Sequence, residues 1–366
     1  MLASVAVADP GIAAFSRSDV ITIAGLTANS FREFFKLRSS HLIRRSSVAL
    51  KGFATAALLI AGVLVAPATA SAQESSPDFP AGVNDWTCSP APEHPRPVVL
   101  LHGTGSSTME AWGGTTGLAA KLVAAGYCVY ALNYGGTSYA GVPAITGIAW
   151  GTDDIRTSAK QVATFVDTVL ARTNSSQVDI VGHSQGGMMA RQYLRFEGGA
   201  NLANPALNKV HTLVGIAPSN HGSDGNGLEQ TFNRLFPTWL PESVRETAAW
   251  ADPTVGPAVY QQFTGSKFLA NLNAGRETLP GVHYTVIASN FWNGKANDGI
   301  ITPRYEQSFL TAAAGDEAFV QNITVQYACP GLPLVHLSGL LYHPAPQFLV
   351  LKALDPTLGG TPPCAG

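Results

Sequence analysis

The chain has 366 residues, enough for one large α/β domain or two ordinary ones, and 46% of them are hydrophobic, so a large core is available. Only 13% are charged and the formal net charge is −2, which argues against a general nucleic-acid binder. The 37 glycines and 24 prolines point to many tight loops.

The first segment reads as a targeting signal. Arg44, Arg45 and Lys51 precede an apolar run over 53–66, which is followed by Ala70-Ser71-Ala72, an A-x-A cleavage pattern. Residues 1–72 are therefore expected to be a leader and signal peptide that is removed, with 73–366 forming one folded domain outside the cell. The apolar run is too short for a comfortable membrane span. Residues 1–40 exceed an ordinary signal peptide and are either an over-long start or an extended leader. Arg44-Arg45 hints at a twin-arginine signal, although the residues after this pair match such a signal poorly. Without 1–72 the chain keeps 15 basic and 21 acidic residues, a mildly acidic balance of −6. Cys88, Cys128, Cys329 and Cys364 all lie beyond the cleavage pattern. An even number in an exported chain points to disulfides, and four cysteines allow three pairings. Cys88–Cys128 and Cys329–Cys364 are favoured. The first would pin the N-terminal segment to an early strand, and the second would fasten the tail.

Residues 73–97 read as an extended lead-in. Val98-Val99-Leu100-Leu101 is a continuous apolar run, the mark of a strand buried on both faces. It ends in the glycine turn His102-Gly103-Thr104-Gly105. A helix is predicted over 117–125 and a strand over 127–132, followed by a loop over 133–151. Thr152 or Asp153 can cap a helix running to about Arg172, with Ile155, Ala159, Val162, Phe165, Val166 and Val169 on one face. A strand from Val178 leads through Gly182-His183-Ser184-Gln185-Gly186 into a helix over 188–196, and a further buried strand spans 210–217. Strand alternating with helix implies a mostly parallel central sheet with helices on both faces. Over 219–281 the strand rhythm lapses. Leu228, Phe232, Leu235, Phe236, Trp239 and Leu240 have amphipathic spacing, broken by Pro237 and Pro241. A segment of about 220–280 is either a cap or lid over a site or simply packed surface helices. A strand resumes over 282–289. Then come Asn297-Asp298-Gly299 in a loop, an apolar stretch over 323–327, a loop holding His336, and a last helix over 345–354.

The Gly-x-Ser-x-Gly turn between a strand and a helix has mechanical meaning. It holds the serine at a strained backbone angle with its oxygen lifted above the sheet edge. Gly182 and Gly186 are needed because such a turn leaves no room for side chains, and Gly187 lets the helix approach the sheet. A serine hydroxyl is a weak nucleophile that needs a base, and the base needs an orienting acid. In this architecture the acid and then the base follow the serine in the chain. His211 and His283 sit in apparent strands and read as structural. His221 precedes any plausible acid. His336 lies where a base is expected, with His343 as its rival. Asp298, in a turn-forming Asn-Asp-Gly, is favoured as the acid over Asp224, Asp252 and Asp316, which read as solvated charges. Oxyanion donors are expected at the N–H of Gln185 and in the turn at Thr104, through its N–H and its hydroxyl. No metal-ligand spacing, phosphate loop or dinucleotide fingerprint occurs, so no metal and no cofactor are expected.

At these residues the chain resembles the secreted bacterial class 2 lipases common in actinobacteria. The matching segments are 84–88, 98–105, 126–135, 178–196, 215–222, 297–303 and 336–354, over most of 84–356. More distantly, Gly103-Thr104-Gly105 and Ser184-Gln185-Gly186-Gly187 resemble lipase B enzymes of the Candida antarctica type. The resemblance implies an α/β-hydrolase fold and hydrolysis of carboxylic esters, as in triacylglycerol lipases and carboxylesterases. It implies Ser184 as nucleophile, Asp298 as acid, His336 as base, Thr104 and Gln185 as oxyanion donors, and the Cys88–Cys128 pairing. His343 departs from the pattern, in which an Asp precedes the proline. The expected partner is an ester or lipid substrate met transiently at a lipid interface, by a monomer that binds no nucleic acid. An acyltransferase using the same triad and a non-catalytic binding protein on the same fold are the alternatives.

Overall fold

The computed structural model describes residues 79–138, 148–225, 227–252, 255–291, 297–300, 308–316 and 319–365. The expected leader and signal peptide fall outside the described residues, as do parts of the 133–151 loop and of the 297–303 segment.

Among the described residues the strands are β1 (Val98–Leu101), β2 (Val129–Ala131), β3 (Thr137–Ser138), β4 (Ile148–Ala149), β5 (Val178–His183), β6 (Val210–Ile216), β7 (His283–Ala288) and β8 (Val320–Thr324). Six of them form one parallel sheet in the order β2-β1-β5-β6-β7-β8, while β3 and β4 pair antiparallel. Helices cover both faces. They are α1 (Thr108–Trp112), α2 (Leu118–Ala124), α3 (Ile155–Thr173) and α4 (Gln185–Phe196), then α5 (Leu228–Leu235), α6 (Glu242–Ala251), α7 (Gly256–Gln261) and α8 (Lys267–Asn273), and last α9 (Val325–Ala328), α10 (Ser338–Tyr342) and α11 (Pro344–Leu354). This is the α/β-hydrolase architecture.

The continuous apolar run of β1 has a direct cause. Successive side chains point to opposite faces of a strand. Val99 and Leu101 pack in a core with Ile155, Val162 and Val166 of α3 and Met188 and Met189 of α4. Val98 and Leu100 pack in a second core with Trp112, Leu118, Leu122 and Val350 on the other face. All four β1 residues have no solvent exposure, and burying each contributes about 1.5–3 kcal/mol.

Helix α3 buries Ile155, Ala159, Val162, Val166 and Val169 as its spacing predicts. Phe165 is half-buried and meets Trp86 edge-on at 6.0 Å. The cap is Asp154, one position beyond Asp153 and two beyond Thr152, the expected caps; its carboxylate accepts from Arg156 N. The Gln261 side chain takes the Ile155 N–H at 2.8 Å, so a distant contact fixes the start. The expected strand over 127–132 is shortened to 129–131. The stretch over 323–327 is not one strand, because β8 ends at Thr324 and α9 begins at Val325. Helix α4 starts at Gln185, three residues before the expected 188.

Between β6 and β7 the chain forms α5 to α8; α5 to α7 close around a small separate core of Phe232, Ala249, Val255, Tyr260 and Phe263, while Leu269 and Leu272 of α8 join the core of β1 and α3. Helix α6 turns Arg245 inward over the Phe232 and Tyr260 rings, at 5.8 and 5.5 Å. Val244 and Trp250 of the same helix remain exposed, as do Leu235 and Trp239 before it. Cys88 is bonded to Cys128 and Cys329 to Cys364, which are the favoured pairs. Cross-links closing loops of 40 and 35 residues are worth about 2–4 kcal/mol each.

Candidate active site

Strands β1 and β5 are neighbours, and their last paired residues are Leu101 and Gly182. The loop after each strand therefore leaves the sheet side by side. The order of winding reverses between these two strands, which opens a crevice at their carboxyl ends.

Ser184 sits at that edge with φ 54° and ψ −122°, a conformation L residues rarely adopt. Such strain costs on the order of 1–3 kcal/mol and persists only where the surroundings enforce it. Here the Ser184 N–H is held by Ile216 O at 2.9 Å. A Cβ on Gly182 would stand 2.5 Å from Gly187 N, and one on Gly186 would stand 2.3 Å from Leu101 O. The turn is thus closed to any residue but glycine at both positions. A Cβ on Gly187 would meet the Pro218 ring at 2.8 Å, so the helix does approach closely there.

His336 lies in the turn before α10, and Asp298 lies in the loop that follows β7. Their side chains meet with Nδ1 and Oδ2 2.7 Å apart, and each residue is 2% exposed. The backbone N–H of His336 also donates to Asp298 O at 2.9 Å. A carboxylate only accepts, so Nδ1 carries the proton and Nε2 is left as the basic nitrogen. His183 links this pair to the elbow. Its Nε2–H donates to His336 O at 3.0 Å, and the two rings are 4.7 Å apart. Among the described residues no hydrogen bond joins the Ser184 hydroxyl to the His336 ring. Such contacts commonly close only when substrate is bound. Burial lowers the His183 pKa to about 3, helped by the His336 charge, and burial lowers that of His102 to about 4. Both rings are neutral near pH 7 and put no fixed positive charge beneath the site.

Of Thr104 and Gln185, the expected oxyanion donors, Gln185 lies beside Ser184 in the chain and Thr104 lies across from it in the turn after β1. A Cβ on Gly103 would be 3.1 Å from Ser184 Cβ, so the turn after β1 rests against Ser184. Gly105 N–H donates to Trp150 O at 2.9 Å, which anchors the turn. The Tyr134 hydroxyl donates to His102 O. Gln185 is the first residue of α4, where a backbone N–H has no acceptor within the helix. The Thr104 hydroxyl oxygen accepts from Gln185 Nε2 and from Gln262 Nε2, both at 2.9 Å.

The other histidines have separate partners. His221 Nε2 lies 2.7 Å from Glu277 Oε1. His343 accepts from Ala345 N through Nδ1 and caps α11, which is the local role an Asp before this proline could also fill. His211 and His283 stack 4.8 Å apart where β6 and β7 begin, at the end of the sheet away from Ser184. Asp316 pairs with Arg276, Asp252 caps the end of α6, and Asp224 accepts from Gln230. Among the described residues no group of three or more His, Cys, Asp or Glu could hold a metal ion. Sequence reasoning missed Gln262, the Gln185 side chain and the tie made by His183. His183 and Gln185 carried a signal through their places beside Ser184, whereas Gln262 carried none.

The sequence model of the class 2 lipases matches residues 95–298, a span from just before β1 to Asp298. The chain belongs to the class 2 lipase family. As a class 2 lipase it is similar in fold to the crystal structure of Aspergillus fumigatus lipase B, at 20% identity and a TM-score of 0.50. That match covers 78% of this chain and 56% of the fungal one, so the class 2 lipase described here spans little more than half of that protein's length. The mature form of Bacillus licheniformis lipase BlEst2 matches at 17% identity and a TM-score of 0.47, over 72% of this chain and 94% of that one.

Proposed function

We propose that this class 2 lipase is an exported hydrolase of carboxylic esters whose 73–366 domain works through an acyl-enzyme on Ser184. The observation that carries the reading is the buried Asp298–His336 pair at 2.7 Å, tied through His183 to the strained Ser184 turn.

Ser184 Oγ attacks the ester carbonyl carbon, and its proton passes to His336 Nε2. The imidazolium that forms is stabilised by Asp298 through the Nδ1–H bond. Charge developing on the carbonyl oxygen is met by the Gln185 N–H and by Thr104. Each such donor lowers the barrier by about 3 kcal/mol in comparable sites. When the tetrahedral intermediate collapses, the ester C–O bond breaks and His336 Nε2–H protonates the departing alcohol. Water then adds to the acyl-enzyme, giving its proton to His336, and a second collapse releases the acid and restores the Ser184 hydroxyl.

The two disulfides support export to an oxidising compartment. Helices α5 to α8 act as a cap. Support comes from the 8% exposure of Ser184 and from the reach of Gln262 to Thr104. Exposed Leu235, Trp239 and Trp250 on the same segment support transient contact with a lipid interface.

The test is hydrolysis of p-nitrophenyl esters of graded chain length by the domain after Ala72. Turnover and fluorophosphonate labelling should both vanish in Ser184→Ala. Turnover that survives in this variant refutes the assignment.

A further inference from the structure

We propose that Gln262, which follows α7 in the cap segment, is a positioning residue that makes the Thr104 hydroxyl a dedicated donor to the oxyanion. The inference rests on the ester-hydrolase reading above.

Hydrogen-bonding capacity decides which way this hydroxyl points. A threonine hydroxyl has two lone pairs and one proton. Gln262 Nε2 donates to Ala258 O at 3.0 Å and to Thr104 Oγ1 at 2.9 Å. Gln185 Nε2 donates to Gly151 O at 2.8 Å and to Thr104 Oγ1 at 2.9 Å. A backbone carbonyl only accepts, so both amides are fixed with nitrogen toward Thr104. The Ser219 hydroxyl, 2.9 Å from Gln262 Oε1, agrees with that orientation. Two N–H bonds fill both lone pairs of Thr104 Oγ1. What the hydroxyl has left is its proton, which donates to no acceptor among the described residues. The turn that carries it rests against Ser184.

A hydroxyl free to rotate serves equally as donor and acceptor, and it must be reoriented when charge appears on the substrate. Two amides that use up its acceptor sites remove that choice in advance, which is the preorganisation that makes such donors effective. One amide sits beside the nucleophile. The other comes from 158 residues away in the chain, on the segment over the site. The donor site is therefore complete only when the segment around Gln262 is docked.

The experiment measures kcat and KM on p-nitrophenyl butyrate, per Ser184 labelled by fluorophosphonate, for wild type, Thr104→Val, Gln262→Leu, Gln262→Glu and the Thr104→Val/Gln262→Leu double variant. Loss of one oxyanion donor costs about a hundredfold in kcat, and Thr104→Val should show it. Gln262→Leu should lower kcat about tenfold with little change in KM, because one lone pair is freed. Gln262→Glu should fall as far as Thr104→Val, since a carboxylate oxygen accepts the Thr104 proton and turns it away. The double variant should be no slower than Thr104→Val alone, a coupling that a purely structural role would not produce. Wild-type kcat in Gln262→Glu, or losses that multiply in the double variant, overturn the inference while the ester-hydrolase reading stands. Should Gln262→Leu fail to fold, the isosteric Gln262→Glu decides. A wild-type chain with neither turnover nor labelling sinks both.

Discussion

Asp298 holds His336 twice, by its carboxylate on the ring Nδ1–H at 2.7 Å and by its carbonyl on the backbone N–H at 2.9 Å. His336, the proposed base, thus depends on one residue both for its tautomer and for the position of its turn. Replacing the carboxylate alone separates the two roles. Asp298→Asn keeps the backbone bond but offers an amide that can donate to Nδ1, which favours the wrong tautomer. The expected loss in kcat is about ten-thousandfold, as in the serine protease case, with the fold intact. Circular dichroism and turnover of p-nitrophenyl butyrate check it, and a loss under tenfold would remove Asp298 from the proposed mechanism.

The closed turn around Ser184 gives a second test. Gly186→Ala places a methyl 2.3 Å from Leu101 O, a rigid backbone neighbour at the end of β1. Overpacking of this kind costs about 1–3 kcal/mol, and it displaces Ser184 as well. Gly359 has nothing within 4 Å of its would-be Cβ, so Gly359→Ala should change stability by less than about 0.5 kcal/mol. Urea denaturation of the two variants beside wild type measures the contrast. Equal stability would mean that the turn has slack these contacts do not reveal.

Acid should weaken the fold through His102 and His183. In the native state burial holds their pKa values near 4 and 3, so both stay neutral well below pH 6. In the unfolded chain each takes up a proton near its ordinary value of about 6.5. Between these limits the unfolded state binds more protons, so stability is lost as pH falls through the window. The two groups together should cost about 3 kcal/mol between pH 6.5 and pH 5. Urea midpoints at the two values check it, and a midpoint that holds steady or rises on acidification would contradict the burial of these rings.

Much of the fold and of the site is legible in the sequence alone. A continuous apolar run marks β1 because a strand covered on both faces has no polar side. The elbow is legible because its glycines are dictated by local geometry. The order of serine, acid and base expected along the chain, with the family pattern, points to Asp298 and His336, whose side chains the fold brings within 2.7 Å. The features that escape the sequence depend on contacts distant along it. Asp154 does not stand out from its polar neighbours because the deciding contact is Gln261, 106 positions away. The split of 323–327 into strand and helix leaves no mark, since each part is only two or three residues and both mix apolar with polar side chains. Gln262 is a polar residue in a helical segment with no motif around it, and only the fold brings it to Thr104.

The bond from Gln262 to Thr104 also sets a limit on engineering. Helices α5 and α6 stand on a small core of their own and invite exchange with those of another enzyme to alter which acyl groups are accepted. A graft that runs past Ala258 would carry away Gln262 together with the carbonyl that orients its amide. Chimeras joined before that point keep the chemistry of the host, whereas those joined after it inherit whatever the donor scaffold supplies.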